Sequence, residues 1–478
     1  MSSNPFPDHW QIMPLTEAVD ALIDYRGKTP KKTDGGIPLV TAKIVKGGTL
    51  LPAAEYIAED DYESWMVRGL PEAGDIVVTT EAPLGEVAQL TDANVALAQR
   101  IVTLRGARGL LLNDYLRYVM QGSYVQGQLE SRSSGSTVKG IKQSELRKVL
   151  LPIPPLQEQG VIASVLKSVD DKIQLNHRIN HTLEQMAQAL FKSWFVDFEP
   201  VKAKVAALEA GGSDEDALLA AMEAVSGKTA DQLDALSDEQ PEHYAELRDT
   251  AELFPSAKQD SELGEIPEGW EVSQIGDEVT VVGGGTPSTK KPEFWEGGHI
   301  HWTTPKDLSN LPNKVLIDTE RKITSVGLAK ISSGLLPVGT VLMSSRAPVG
   351  YLALAKTPLA VNQGYIAMKC EHRLSPEFVI QWCAAFMPEI KGMASGTTFA
   401  EISKKNFKVI PLLVPSADVV KAYSQHVVPF YSAIESNVRG SRALSELRDT
   451  LLPKLLSGEL TLPDVNETQA EPRGVAHV

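Results

Sequence analysis

Several residue groups in this chain have the types that phosphate binding, metal binding or nucleophilic catalysis require, so their spacing decides whether they can act. Gly27-Lys28-Thr29 and Gly227-Lys228-Thr229 have the tail of a phosphate-cradling loop. Such a loop needs a further glycine five residues upstream, and Leu22 and Met222 stand there. Gly283-Gly284-Gly285 lacks the Gly-x-Gly-x-x-Gly spacing and reads as a turn. Asn4-Pro5-Phe6 lacks one proline of an Asn-Pro-Pro-Phe/Tyr tetrapeptide, and no cofactor-binding glycine motif accompanies it. His177 and His181 are one helical turn apart, but without the glutamate of His-Glu-x-x-His they read as a solvated helix face. Ser344-Ser345-Arg346 lacks the glycines of a nucleophile elbow. Cys370 and Cys383 have neither metal-ligand spacing nor a disulfide framework, and a reducing, cytoplasmic setting fits them. The sequence therefore argues against an enzyme acting alone. It predicts no catalytic residue, no metal ligand and no cofactor bound by the chain itself.

Local basic charge remains. Residues 26–46 carry Arg26, Lys28, Lys31, Lys32, Lys43 and Lys46 against Asp34 alone, and residues 131–148 carry Arg132, Lys139, Lys142, Arg147 and Lys148 against Glu145. Further on, Lys391, Lys404, Lys405 and Lys408 oppose Glu401, while Lys290, Lys291 and Lys306 stand near Thr303 and Thr304. These cations sit among Ser, Thr, Gly and Asn, the types that donate to phosphates and base edges. Each stretch by itself also fits a solvated loop. The formal net charge of −15 looks adverse to nucleic acid, yet residues 201–262 hold 5 basic against 15 acidic groups and so account for two-thirds of the excess. The other residues are nearly balanced and can carry basic faces.

The elements that would position these groups occur twice. Pro7 and Trp10 match Pro267 and Trp270; Thr29-Pro30 matches Thr286-Pro287; Ile37, Thr41 and Lys43 match Ile300, Thr304 and Lys306. Gly74, Pro83 and Gly85 match Gly339, Pro348 and Gly350; Gln99 matches Gln363; Gly135, Thr137 and Ile141 match Gly396, Thr398 and Ile402. The order is preserved and the offset drifts only between 257 and 265, as small loop insertions produce. In each copy, Gly-, Pro- and Thr-rich turns separate short elements. Ile76–Thr80 and Thr340–Met343 read as buried strands, and helices are expected near 110–121 and 376–386. The predicted fold is two mixed α/β (α+β) globular domains in tandem repeat.

Each globule is followed by a long helix. Seam positions run without a break through Ile162, Leu166, Val169, Ile173, Asn176, Asn180, Leu183, Ala187, Leu190 and Trp194, alternating four and three apart. An offset of 261 carries the pattern to Tyr423, Val427, Phe430, Ile434, Asn437, Ser441, Leu444, Arg448, Leu451 and Leu455. Matched stripes with a matched polar step, Asn176 and Asn437, predict an antiparallel coiled coil whose seam includes Ile173, Asn176, Leu183, Ile434, Asn437 and Leu444. The alternative is that each helix packs on its own globule. About 39 residues would reach roughly 58 Å at about 1.5 Å per residue. Pro429 predicts a kink or a late start in the second helix.

The expected boundaries are 1–155 and 263–415 for the two globular domains, 156–200 and 416–462 for the helices, 201–262 for an acidic helical linker and 463–478 for a flexible tail. The linker reads as solvated short helices, with an acidic mimic of DNA as the other reading. At 42% hydrophobic and 22% charged, the composition supports sizeable cores, and no apolar run approaches the ~18 residues that span a bilayer.

Four stretches together resemble one family. LPIPPLQEQ (Leu151–Gln159) runs into a helix ending QALFKSWFVDFEPV (Gln188–Val201). DSELGEIPEGW (Asp260–Trp270) reopens the second copy and LRDTLLPKLLSGEL (Leu447–Leu460) closes it. This arrangement resembles the DNA-specificity subunits of type I restriction–modification systems, the HsdS family, over nearly the whole chain. The second junction, Ile410–Val420, departs by lacking the Leu-x-Glu-Gln piece. The resemblance implies that each globule reads one half of a bipartite double-stranded DNA target and that the helices act as the spacer. It implies a non-catalytic chain docked to two modification subunits, which bind S-adenosylmethionine and methylate adenine. Two restriction subunits, which use ATP and Mg to translocate and cleave, can join them. A type IIB-like specificity subunit and a two-repeat protein scaffold without DNA binding are the alternatives.

On charge, polarity and repeat position, the expected DNA contacts are Lys28, Lys31, Lys32, Thr41, Lys43, Ser136, Thr137 and Lys139 in the first copy. In the second they are Lys290, Thr303, Thr304, Lys306, Arg346, Thr397 and Thr398.

Overall fold

The computed structural model describes residues 5–309, 311–396 and 400–461. The chain divides into two compact units. One takes the residues up to Ile173 and those from Ala443 onward; the other is Gln174–Arg442. Each unit therefore holds one globule and a stretch of both long helices.

In the first unit, a four-stranded sheet runs in the order Val19–Asp24, Ile101–Gly106, Ile76–Thr80, Leu84–Gln89. Ile76–Thr80 is buried along its whole length, as an apolar run flanked on both sides must be. In the second unit the corresponding order is Thr280–Val282, Tyr365–Lys369, Val341–Ser344, Leu352–Ala355, with Val315–Leu316 added at the edge. A second sheet in each unit contains a parallel pair in matching register, Ala96 opposite Leu39 and Ala360 opposite Trp302. An antiparallel pair closes each globule, joining Gln11 to Ile153 in one and Glu271 to Val414 in the other. The repeat read from scattered residues is thus a repeat of strand order and register, and the mixed α/β tandem fold is the observed one. The helices expected near 110–121 and 376–386 are Asn113–Gln121 and Pro376–Ala385.

The long helices are Leu156–Phe195 and Ala417–Ser457. They pair antiparallel in both units. In the first, Asp170 Oδ1 meets Arg448 Nη1 at 3.0 Å. In the second, Asn176 Nδ2 donates to Ser441 Oγ at 3.0 Å, Asn437 Nδ2 donates to Asn180 Oδ1 at 2.9 Å, and the Tyr423 hydroxyl donates to the Ala187 carbonyl at 3.4 Å. Ile434, Asn176 and Asn180 are buried, and Ile173, Leu183, Asn437 and Leu444 are half-buried. The late start expected at Pro429 does not occur. The helix begins at Ala417 and runs through Pro429, because both Pro429 and Gln425, whose carbonyl loses its N–H donor, lie exposed and water can serve that carbonyl.

The acidic segment is more structured than a solvated linker. Helices Glu199–Glu209, Asp214–Ser226, Ala230–Glu239 and Pro241–Glu252 fold there. Pro200 and Pro241 sit in the first turns they suit, and Ser213 and Asp216 form a reciprocal cap. Leu218, Ala221, Met222, Leu233 and Ala251 make a small core of their own. Trp194 packs edge-on against Phe254 at 5.0 Å, and the buried Lys204 ammonium donates to the Phe254 carbonyl at 2.6 Å, where a helix C-terminus favours a cation. The charge could not reveal this, because the acids lie on the outer faces of helices whose inner faces are ordinary Ala and Leu. No helix among the described residues is long and apolar enough to cross a membrane.

Candidate nucleic-acid interface

In the first unit, four loops meet at one polar surface: the segment around Arg26, the turn 80–84, Gln99-Arg100 and the loop 133–142. The last is pinned by short bridges. Gly140 pairs with both Ser134 and Glu81, and the Ile141 amide donates to the Thr80 carbonyl at 3.0 Å. Arg26 Nη1 donates to the Ile141 carbonyl at 2.6 Å while its Nε lies 3.1 Å from Asp24 Oδ2. Arg100 Nε lies 3.1 Å from Glu81 Oε1. Grooves of about 750 Å³ and 360 Å³ flank the loop, the first lined by Pro83, Gln126 and Lys139, the second by Arg26, Gln99 and Lys142.

The second unit repeats this construction. Glu401 bridges to Ser395 and Arg346, and the Ile402 amide donates to the Ser345 carbonyl at 3.0 Å. The Thr80 amide donates to the Arg100 carbonyl at 2.9 Å, and its counterpart Ser345 to the Gly364 carbonyl at 2.8 Å. Thr286 Oγ1 donates to Gln363 Oε1 at 2.7 Å, tying the matched Thr-Pro loop to the matched glutamine. Gly135 and Gly396, at equivalent places in the pinned loops, have φ of 113° and 118°, which only glycine adopts readily.

The expected contact residues separate into groups. Ser136, Thr137 and Lys139 are exposed on the pinned loop, and the Lys139 ammonium pairs with Glu130. The hydrogen bond from Lys139, with its positive charge, holds the Glu130 carboxyl below its ordinary pKa. Lys28 is exposed beside Gly27, which lines the smaller groove. Lys31 is also exposed. Lys32 and Lys43 belong to a different locus, converging on Glu55 at 2.8 and 3.5 Å, with Thr41 half-buried at the turn beneath. In the second unit Lys290 is exposed, Lys306 pairs with Glu320 at 2.8 Å, and Arg346 lies 3.6 Å from Glu401. Thr397 and Thr398 lie outside the described residues.

Two threonines do not offer free hydroxyls. Thr303 is 0% exposed and its Oγ1 meets the Tyr365 hydroxyl at 2.9 Å, so it belongs to the core and not to the surface. It ends a strand whose inward face continues through it. Thr304, the next residue, spends its hydroxyl and amide on Asp307, at 3.0 and 2.7 Å, at the start of a short helix. Sequence type alone could not separate a surface Thr from a packed one.

Arg100, Glu81, Gln99, Gln363 and Glu401 were absent from the expected set. Arg100 stands outside any basic run, and charge density could not reveal it; its one signal was adjacency to the repeat-matched Gln99. An independent cationic feature of the second unit is Arg321, stacked 3.6 Å over the Trp295 ring. Lys32, Lys43, Arg100, Lys139, Lys306 and Arg346 face carboxylates at surface sites, where a pair is worth about 0–1 kcal/mol, so an incoming phosphate can displace the carboxylate.

A family described as the type I restriction modification DNA specificity domain matches residues 7–185 and again residues 267–437, each match taking one globule and part of its long helix. The chain is 33% identical over 381 residues to the type I restriction enzyme HindI specificity subunit of Haemophilus influenzae, covering 77% of this chain and 82% of that one. It is 34% identical over 190 residues to the MjaIX specificity subunit of Methanocaldococcus jannaschii, covering 39% and 44% of the two. Its fold is similar to the crystal structure of the type I restriction–modification S subunit from M. genitalium, with a TM-score of 0.50 at 15% identity over 95% of this chain and 97% of that one. Two family matches spanning most of the chain, on two units that repeat one topology register for register, place it plainly: the chain belongs to the DNA-specificity family of type I restriction–modification systems.

Proposed function

We propose that this chain is the DNA-reading subunit of a type I restriction–modification complex. Residues 1–155 and 263–415 each read one half of a bipartite duplex target, with the antiparallel helix pair as the spacer. The observation that carries this reading is the doubled construction itself. Two globules share strand order, register and a pinned polar loop, yet carry different side chains on it, as two heads with one architecture and unlike half-sites require. Tandem copies also give two equivalent faces, which suits two copies of one partner. The partners are two modification subunits, which supply S-adenosylmethionine and adenine methylation, and two restriction subunits, which supply ATP- and Mg-dependent cleavage. The chain itself contributes recognition and no bond-making step. It acts where those complexes act, in the cytoplasm.

Phosphate contacts supply affinity and base contacts supply choice. Exposed Lys43 and Lys306 occupy matched positions in the two copies and are assigned to phosphates. In the assembled complex with the modification subunits, Lys43→Ala and Lys306→Ala should each weaken binding to cognate and unrelated duplexes alike, and each should lower the slope of log affinity against log salt by about 0.9. Unchanged affinity and slope in both variants remove the two lysines from the interface. A wild-type complex that binds all duplexes equally removes the reading as a whole.

A further inference from the structure

Resting on that reading, we propose that Arg100 and Arg346 are the guanine-reading side chains of the two units, each facing a carboxylate beside the pinned loop. The backbone bonds above equate Glu81 with Arg346, Gly140 with Glu401 and Arg100 with Gly364. At this shared place both units build one guanidinium–carboxylate pair, Arg100 with Glu81 at 3.1 Å and Arg346 with Glu401 at 3.6 Å. The same device is assembled from opposite loops. In the first unit the turn brings the acid and the glutamine loop brings the arginine. In the second the turn brings the arginine and the pinned loop brings the acid.

The geometry suits base reading. The arginine and carboxylate side chains are 39–55% exposed, so the guanidinium edge not facing the acid is open to a ligand. The planar fork matches guanine O6 and N7 with two donors, the commonest specific contact in the major groove. A carboxylate behind the guanidinium restricts its rotamers, so less freedom is lost on binding. Gln99 and Gln363 stand at the matched places beside these pairs, and glutamine is the complementary adenine reader.

The test uses the assembled methyltransferase complex on a library of duplexes, reading the base preference at every position of the methylated target. Arg346→Lys keeps the charge but loses the two-donor fork. It should relax preference at one G·C position in one half-site, by about 10- to 100-fold, and leave the other half-site and the salt slope unchanged. Arg100→Lys should do the same in the opposite half-site only. Glu401→Gln and Glu81→Gln should relax the same positions to a smaller degree, and thermal unfolding of each variant separates this from misfolding. An unchanged motif in both arginine variants overturns the proposal. So does a uniform loss across all sequences with a reduced salt slope, which assigns the arginines to phosphates. A wild-type complex without sequence preference overturns the function proposed above instead.

Discussion

Asp170 is the residue on which the first unit's helix packing turns. Its carboxylate accepts from Arg117 at 2.7 Å and the Tyr118 hydroxyl at 2.9 Å, both on the globule, and from Arg448 on the second long helix at 3.0 Å. Arg117 is buried, so removing its partner leaves an uncompensated charge in the interior. Asp170→Ala should destabilise this unit by about 3–5 kcal/mol in denaturant unfolding; a loss under 1 kcal/mol would mean that water reaches Arg117. The seam asparagines pose the opposite case. Asn176 and Asn437 satisfy each other's helix through Ser441, Asn180 and the Asn437 carbonyl at the cost of apolar packing. Replacing both with Leu should raise stability while permitting slipped pairing, seen as more than one product when cysteines placed across the seam are cross-linked. A single product would assign register to other residues. These asparagines were legible in the sequence because they interrupt a strict apolar period at matched places. Asp170 was not, because the first of two adjacent acids just beyond the seam looks like any solvated helix residue until its partners are known.

The repeat was legible at the scale of elements because its markers are residues that backbone geometry demands. Gly74 and Gly339 have φ of 93° and 87°, and Gly85 and Gly350 have φ of 87° and 107°. Such places tolerate few substitutions, so glycines persist where the surrounding side chains differ. The long helices were legible because one period holds for ten seam positions. The folded character of residues 199–254 was not, because short helices of Ala, Leu and acids look alike whether they dock or float. Docking includes an aromatic step, Trp194 against Phe254, with Trp270, Phe195 and Phe198 continuing it and Val201 buried in the same core. Phe254→Ala should cost the second unit about 3–5 kcal/mol and raise amide exchange across the four short helices. Exchange there equal to wild type would show that the small core of Leu218, Met222 and Leu233 holds the segment without this anchor.

The whole molecule is one recognition architecture written twice in a single chain, with a stretch of both long helices in each unit. Which loops gather at the polar surface was only partly legible. Charge density pointed to Lys139 and its neighbours on the pinned loop, but it also drew in the core hydroxyl of Thr303 and passed over Arg100, which meets that loop's surface only through the fold. On the proposed function, like architecture predicts equivalent docking of two modification subunits. Unlike side chains at the matched loops predict two different half-sites. The most direct measurement is genome-wide mapping of N6-methyladenine in cells with and without this chain. The account predicts that the chain's presence adds methylation at one asymmetric target, two unlike short sequences separated by a fixed number of unspecified base pairs. Methylation that is unaltered by the chain, or that falls on a single uninterrupted symmetric sequence, would contradict it.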